Sequence, residues 1–458
     1  MVAVKVNTQL SDRTVVDNVI MQGTSWGTPS CTTSMDDLAV KAYEDPKLLY
    51  KYKGEVAIPP LMMVDDVLTV SKCQTDSVIM NSTVNAFMST KKLKLSTKKC
   101  NMIHIQKDSV DRSCPNLKVN GKTMNKSIKE KYLGDFITES ASIKETIKDR
   151  VNKANGSINE IDSILQDVPL GSAKTNIGLK LRNAMFASKI LVNCESWQSI
   201  LKTDMKDMEL ADNRLMRKIL NSHAKTPTEM LFLETAEIPL KFLVMSRRLN
   251  FLHSILKRDD SELVKRVLKK QMESRTKGEW FDTVLTDFSI INEVFEEDVI
   301  TARTKDQHKI WVKKAIKKVA FKELLDAKDG HSKVQNIEYD KFEIQPYLVH
   351  PSFSSKQSSQ LFKLRTKTEN FRANFSSQFG GDVDRLKCQL NCEDTHAKDS
   401  QEHILTCSRL QHMLSEDDKC VEYSHIFGNI EKQKNATVLF MKLIEERDNI
   451  LDDAQKNS

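Results

Sequence analysis

The sequence predicts an α+β chain, and three observations carry that reading. Short apolar runs broken by Gly, Pro, Asn and Asp crowd residues 1–140, the signature of brief strands between turns. From about 141 to 330, apolar residues return every three, four or seven positions, the spacing of amphipathic helices. Near the C terminus, Cys388, Cys392, His403 and Cys407 form a compact C-x3-C-x10-H-x3-C pattern. With 458 residues there is room for two or three domains with their own cores. The expected division is 1–140 strand-rich, 141–330 helical, 331–380 a linker, 381–412 a Cys/His knuckle and 413–458 a helical tail.

The most informative stretch is Ile58-Pro59-Pro60-Leu61-Met62-Met63-Val64-Asp65-Asp66-Val67-Leu68-Thr69-Val70. Two apolar runs flank a vicinal pair of acids, and the two prolines argue against a helix. A strand–turn–strand with Asp65 and Asp66 at its bend lifts hard oxygen ligands to a sheet rim, where they suit Mg2+. An isolated pair of this kind is ordinarily a solvated turn, so its neighbours decide its meaning. Upstream, Gln22-Gly23 lies in a loop before a helix expected over Ser34–Tyr43, with Ser34 as its N-cap. Downstream, Val78–Met88 has helical spacing and Leu93–Cys100 follows. Asn101–Ile105 reads as a strand, Asn120-Gly121 is a strong hairpin signal, and Lys131–Ile137 reads as a closing strand.

This order of elements resembles the palm of a reverse transcriptase from a non-LTR (LINE-like) retrotransposon, entered between motifs A and B. Gln22-Gly23 is similar to motif B, whose loop and helix support template and incoming nucleotide. Met63-Val64-Asp65-Asp66 resembles the metal-binding motif C, with Met63 where an aromatic is usual. Leu93-x-Leu95 followed by Lys99 is similar to motif D, whose lysine lies near the triphosphate. Tyr132-Leu133-Gly134 resembles the turn that grips the primer. Pro29 stands one residue later than the motif B proline. The resemblance implies a right-hand polymerase palm, here partial, followed by a helical thumb. It also implies RNA-directed DNA polymerase chemistry on an RNA template with a DNA primer, or binding to an RNA–DNA duplex.

That chemistry uses two metals clamping the attacking and leaving oxygens. In the family the motif C aspartate shares them with an aspartate of motif A. Only Asp12 and Asp17 precede Gln22, and neither follows a strand in the motif A manner. The expectation is therefore a truncated, catalytically incomplete polymerase that keeps nucleic-acid binding. The alternative is a non-catalytic RNA- or DNA-binding protein derived from such an element.

In the helical region Ile143, Ile147, Val151, Ile158, Ile161 and Ile164 mark one apolar face, and Trp197 reads as a core anchor. Further helices are expected over Asn176–Val192, Thr203–Leu220 and Pro239–Leu256. The stretch from Arg303 to Lys322 carries eight Lys/Arg against one Asp. Lys309, Lys313 and Lys317 share a face opposite Val312, Ile316 and Val319, which suits phosphate tracking. Arg247-Arg248 and Lys265–Lys270 add further positive charge.

Two close thiols, a spacer and a His/Cys pair are what tetrahedral Zn2+ requires. The family carries a similar knuckle near its C terminus. His403 and Cys407 are expected four apart on one helical face. His396 is a rival ligand through Cys392-x3-His396, which would leave His403 unused. The other cysteines read as isolated reduced thiols, and no signal peptide or run of about eighteen apolar residues is evident. The expected setting is intracellular, nuclear or cytoplasmic, with no membrane partner. A net charge of +7 is mild for this length and only hints at an anionic partner.

Overall fold

A computed structural model describes residues 5–6, 9–10, 27–105, 115–168, 173–198, 200–379 and 382–456. The chain mixes helix and sheet and is mostly helical. It divides into two compact units, 1–146 with 255–281 and 147–254 with 282–458. No helix among the described residues is long and apolar enough to cross a membrane.

The first unit is built on two helices, Gly27–Glu44 and Gln74–Thr90. The first begins earlier than expected, so Ser34 is interior and not an N-cap. Pro29 falls in its first turn, where the missing amide hydrogen has no helical partner to lose. Met35 and Leu38 from this helix meet Val84, Phe87 and Met88 from the other in a small core. Met62, Val67, Leu95 and Cys31 pack against that core.

All strand pairing among the described residues is two-stranded. Leu61–Met63 pairs antiparallel with Asp66–Leu68 in the register Met62↔Val67 and Met63↔Asp66. Alternation along a strand then turns Met62 and Val67 toward the core and Met63 and Asp66 away from it. Asn120 and Gly121 both have positive φ (50° and 79°) and link Lys118–Val119 to Lys122–Thr123, as their identity foretold. Lys131–Ile137 is not one strand. It folds as a hairpin, Lys129–Tyr132 with Asp135–Thr138, because Leu133 and Gly134 turn at φ 49° and 95°. The hairpin Tyr50–Tyr52 with Val56–Ile58 was not foreseen. Its turn is fastened by Lys53, whose ammonium meets Glu279 at 2.8 Å, and Lys270 reaches Glu55 at 2.6 Å. These contacts draw 255–281 out of the expected helical region and into the first unit.

The second unit is helical. Lys144–Asp167 buries Ile147, Ala154, Ile158, Ile161 and Leu165. Ile164, expected on that face, is 41% exposed, because a step of four from Ile161 puts Leu165 inside instead. Trp197 is buried, as expected of a core anchor. Residues 331–380 are not a bare linker: they carry the helix Ser355–Arg365 and bury Tyr347, Phe353, Leu361 and Phe362. They are held by Glu234, which accepts from Tyr347 Oη at 2.8 Å and from Arg365 Nη2 at 3.0 Å. Arg248 does not add surface charge: it is buried, with Nε on Asp287 at 2.7 Å and Nη1 on the Trp197 carbonyl at 3.1 Å. In the first unit, Lys265 and Lys269 are both paired with Asp260, which offsets their charge.

Helices Leu240–Leu256 and Lys305–Asp329 meet at a stacked imidazole pair, His253 and His308, 4.4 Å apart at 14°. His308 Nε2 faces the Leu249 carbonyl at 3.1 Å and His253 Nε2 faces that of Arg303 at 3.0 Å. Burial holds the His308 imidazole down at about 4, and the His253 and Arg303 charges push the same way. The unfolded chain then binds the extra proton between about 4 and the ordinary imidazole value, so stability rises with pH across that window and is lost as pH falls through it. Urea unfolding at graded pH should show a flatter acid limb for His308→Phe than for the parent chain. An identical limb would contradict the buried, neutral assignment.

Candidate metal centre and acidic hairpin

Cys388, Cys392, His403 and Cys407 converge, their ligand atoms all within 4.8 Å of one another. A short antiparallel bridge, Lys387 to Lys398, starts the knuckle, and the Cys388 amide donates to Ala397 O at 2.8 Å. Asn391 turns the chain at φ 49° so that Cys392 comes back beside Cys388. His403 opens a 3-10 turn, His403–Leu405, whose first amide donates to Ser400 Oγ at 3.1 Å. Cys407 lies beyond that turn, at the N-cap of the next, so the expected single helical face is replaced by two 3-10 turns. His396 is not a member of the cluster: it is exposed, with its amide on Asp394 Oδ1 at 3.1 Å. Cys420 is exposed and outside it as well.

The spacing can be tested against tetrahedral zinc. Zn–S bonds of about 2.3 Å and Zn–N of about 2.0–2.1 Å set S···S at about 3.8 Å and S···N at about 3.5 Å. Cys388 Sγ lies 3.8 Å from Cys407 Sγ, and Cys392 Sγ lies 3.5 Å from His403 Nε2. The electrostatics agree. Burial, with neighbouring thiols adding, pushes the Cys388 thiol up to about 12, and burial also raises Cys407. Burial lowers His403, which favours the neutral imidazole that ligates. Such a cluster is costly as thiolates alone and is relieved by a divalent cation. The four residues can therefore hold a metal ion such as zinc.

Asp399, in the spacer between the ligands, was missed by sequence reading and fixes the knuckle to the rest of the unit. It is buried, and its carboxylate accepts from Arg447 Nη2 at 3.0 Å, Gln389 Nε2 at 2.8 Å and the Arg372 amide at 2.9 Å. Its own amide donates to Leu386 O at 2.8 Å. Arg447 belongs to the helix Ile430–Lys456 and lies over the Phe371 ring at 5.0 Å. No local pattern announces this pairing, since the partners are far apart in sequence and both types are common.

In the first unit Asp65 sits in the two-residue turn of the acidic hairpin and Asp66 begins its second strand, both exposed. Val64 precedes them at φ 57°, a region β-branched residues avoid. Its carbonyl accepts from Cys31 Sγ at 3.3 Å, tying the turn to the start of the Gly27–Glu44 helix. Tyr132 Oη donates to Leu61 O at 3.3 Å, so the Leu133-Gly134 hairpin lies against the acidic one. Burial raises the Tyr132 phenol, and the Asp66 charge adds to that. Lys99 is exposed in the loop after Leu95, its amide on Ser96 O at 3.0 Å, with no polar contact to the acids among the described residues. Gln22, Gly23, Asp12 and Asp17 lie outside the described residues. No third acid among the described residues joins Asp65 and Asp66 in a metal-binding group.

The helix Lys305–Asp329 starts in a capping box between Thr304 and Gln307 and buries His308, Val312, Ile316, Ala320 and Leu324. Lys309 and Lys313 are exposed on the other side, while Lys317 is partly covered in a groove with Phe342. The apolar back thus matches the sequence reading, and the lysine stripe is free at its start and sheltered at its end.

Comparison with protein-family models and with curated proteins finds no match. The purified chain should carry one zinc per molecule, and Cys392→Ser or Cys407→Ser should lower that content severalfold. Asp399→Asn, which breaks a buried charge pair, should destabilise the chain by about 3–5 kcal/mol while leaving all four ligands in place. Metal analysis alongside urea unfolding checks both; an unchanged zinc content in the serine chains would exclude the cluster.

Proposed function

We propose that the chain is a nucleic-acid-binding part of a non-LTR retrotransposon reverse transcriptase, engaging RNA template, DNA primer or their duplex. One observation supports this above others. The acidic hairpin and the start of the Gly27–Glu44 helix pack on one small core, and the Tyr132-Leu133-Gly134 hairpin is bonded to the acidic hairpin, in the order along the sequence that the family has. In this reading the 1–140 region is the partial palm and 141–330 the thumb. Asp65 and Asp66 supply carboxylate oxygens to Mg2+, which keeps the rest of its shell for water and phosphate. Tyr132, Leu133 and Gly134 border the primer, Gln22 and Gly23 the template, and Lys99 the triphosphate. The Zn2+ knuckle and the lysine helix hold the strand.

A second reading is binding without polymerisation, which holds if no further carboxylate completes the metal site beside Asp65 and Asp66. Loss of ~4 kcal/mol of transition-state stabilisation would slow nucleotide addition about a thousandfold.

Two measurements on the intact chain separate these. Affinity for a primed RNA should fall linearly on a log–log plot against salt. Lys309→Gln with Lys313→Gln should flatten that slope by about 0.7–0.9 for each phosphate no longer neutralised. Mg2+-dependent extension that Asp65→Ala abolishes would establish polymerisation, whereas binding without extension fits the second reading. No measurable binding to RNA or duplex would overturn both.

A further inference from the structure

Two loops of the second unit bring basic groups onto one ring, Phe375, which is only 8% exposed. Lys225 Nζ lies 5.4 Å from the ring centroid and Lys333 Nζ 4.9 Å. The His223 ring centroid is 5.0 Å away. Lys363, on the helix Ser355–Arg365, is close enough to act on His223 electrostatically. Helix periodicity does not produce this gathering, because the groups come from two loops and the 3-10 segment Arg372–Phe379.

We infer that Lys225 and Lys333, with His223 and the Phe375 floor, form a phosphate-binding site. The ring holds two ammonium groups by cation–π attraction, which fixes them without neutralising them. Neither lysine forms an ion pair with a described acid. Glu369, an acid that acts on His223, is engaged by Gln360 Nε2 at 2.8 Å and by the Asn370 amide at 3.2 Å. Lys333 donates to the Asn374 carbonyl, a neutral partner that orients it and leaves its charge intact. The Lys225 amide donates to His223 Nδ1 at 3.0 Å, which leaves Nε2–H as the free donor of the neutral ring. Compact ammonium charges, each with several hydrogens, suit the many oxygens of a phosphate.

The electrostatics point the same way. Burial lowers the His223 pKa, and the charges of Lys225, Lys363 and Lys333 lower it further against the pull of Glu369. Burial and Lys225 also lower Lys333. An anion seated among them would reverse the lysine contribution. The site also adjoins the knuckle, since the Ala373 amide, two residues before Phe375, donates to Asp399 O at 3.0 Å. The phosphate can come from a single-stranded nucleic acid, which rests on the reading above, or from a small phosphorylated ligand, which does not.

The test uses the full chain and Lys225→Gln/Lys333→Met, which keeps the alkyl stem against Phe375. NMR titration of His223 with inorganic phosphate, against chloride at equal ionic strength, should raise its midpoint in the parent chain and not in the variant. Binding of a labelled single-stranded RNA should lose about 1.4 from its log–log salt slope in the variant. Both changes assign the site to a nucleic-acid strand. A His223 shift with an unchanged RNA slope, or with no RNA binding at all, assigns it to a small phosphorylated ligand. No phosphate-dependent shift of His223 together with an unchanged slope overturns the site.

Discussion

Buried guanidinium–carboxylate pairs hold the helical unit together. Arg182 meets Asp212 at 2.6 Å, Arg248 meets Asp287 at 2.7 Å, Arg365 meets Glu234 at 3.0 Å and Arg447 meets Asp399 at 3.0 Å. Each joins segments remote in sequence, and each puts two charges where water cannot solvate them. Such pairs add little net stability over apolar packing, but a single partner left alone is very costly. They therefore act as constraints on arrangement: a helix that slips strands a charge. Asp287 shows the balance, since burial pushes its carboxyl up to about 6 although Arg248 pulls it down.

The knuckle inherits this logic. A Cys/His module has little apolar core of its own and gains order from its ion. Here Asp399 adds a second anchor, pairing with Arg447 of the last helix and accepting from the segment that carries Phe375. Metal ligands, salt bridge and cationic cluster are thus serial parts of one structure. The lysine helix lies in the same unit and turns its apolar side inward, which leaves Lys309 and Lys313 exposed.

Local chemistry was legible in the sequence, and long-range chemistry was not. The turn at Asp65, the Asn120-Gly121 hairpin and the C-x3-C-x10-H-x3-C ligands each depend on residues within a few turns of chain. A positive φ at Leu133 carries no such signal in its identity, and the strand expected over Lys131–Ile137 is there a hairpin. Ile164 and Leu165 are both apolar, so only packing could choose between them. The segment 331–380 read as a linker because its order comes from Glu234, about a hundred residues earlier, meeting Tyr347 and Arg365. Lys225 and Lys333 look like ordinary surface lysines until the fold assembles them.

The reading of the first unit stands on whether the acids near position 65 seat a divalent cation beside a primer end. Mn2+ can stand in for Mg2+ at carboxylate sites and broadens nearby methyl resonances. With methyl-labelled Met and Leu and a primed RNA template bound, Mn2+ should broaden Met62, Met63 and Leu133 together, and Asp65→Ala should abolish the effect. Sharp signals at Met63 and Leu133, with broadening scattered elsewhere, would contradict a metal-bearing polymerase turn.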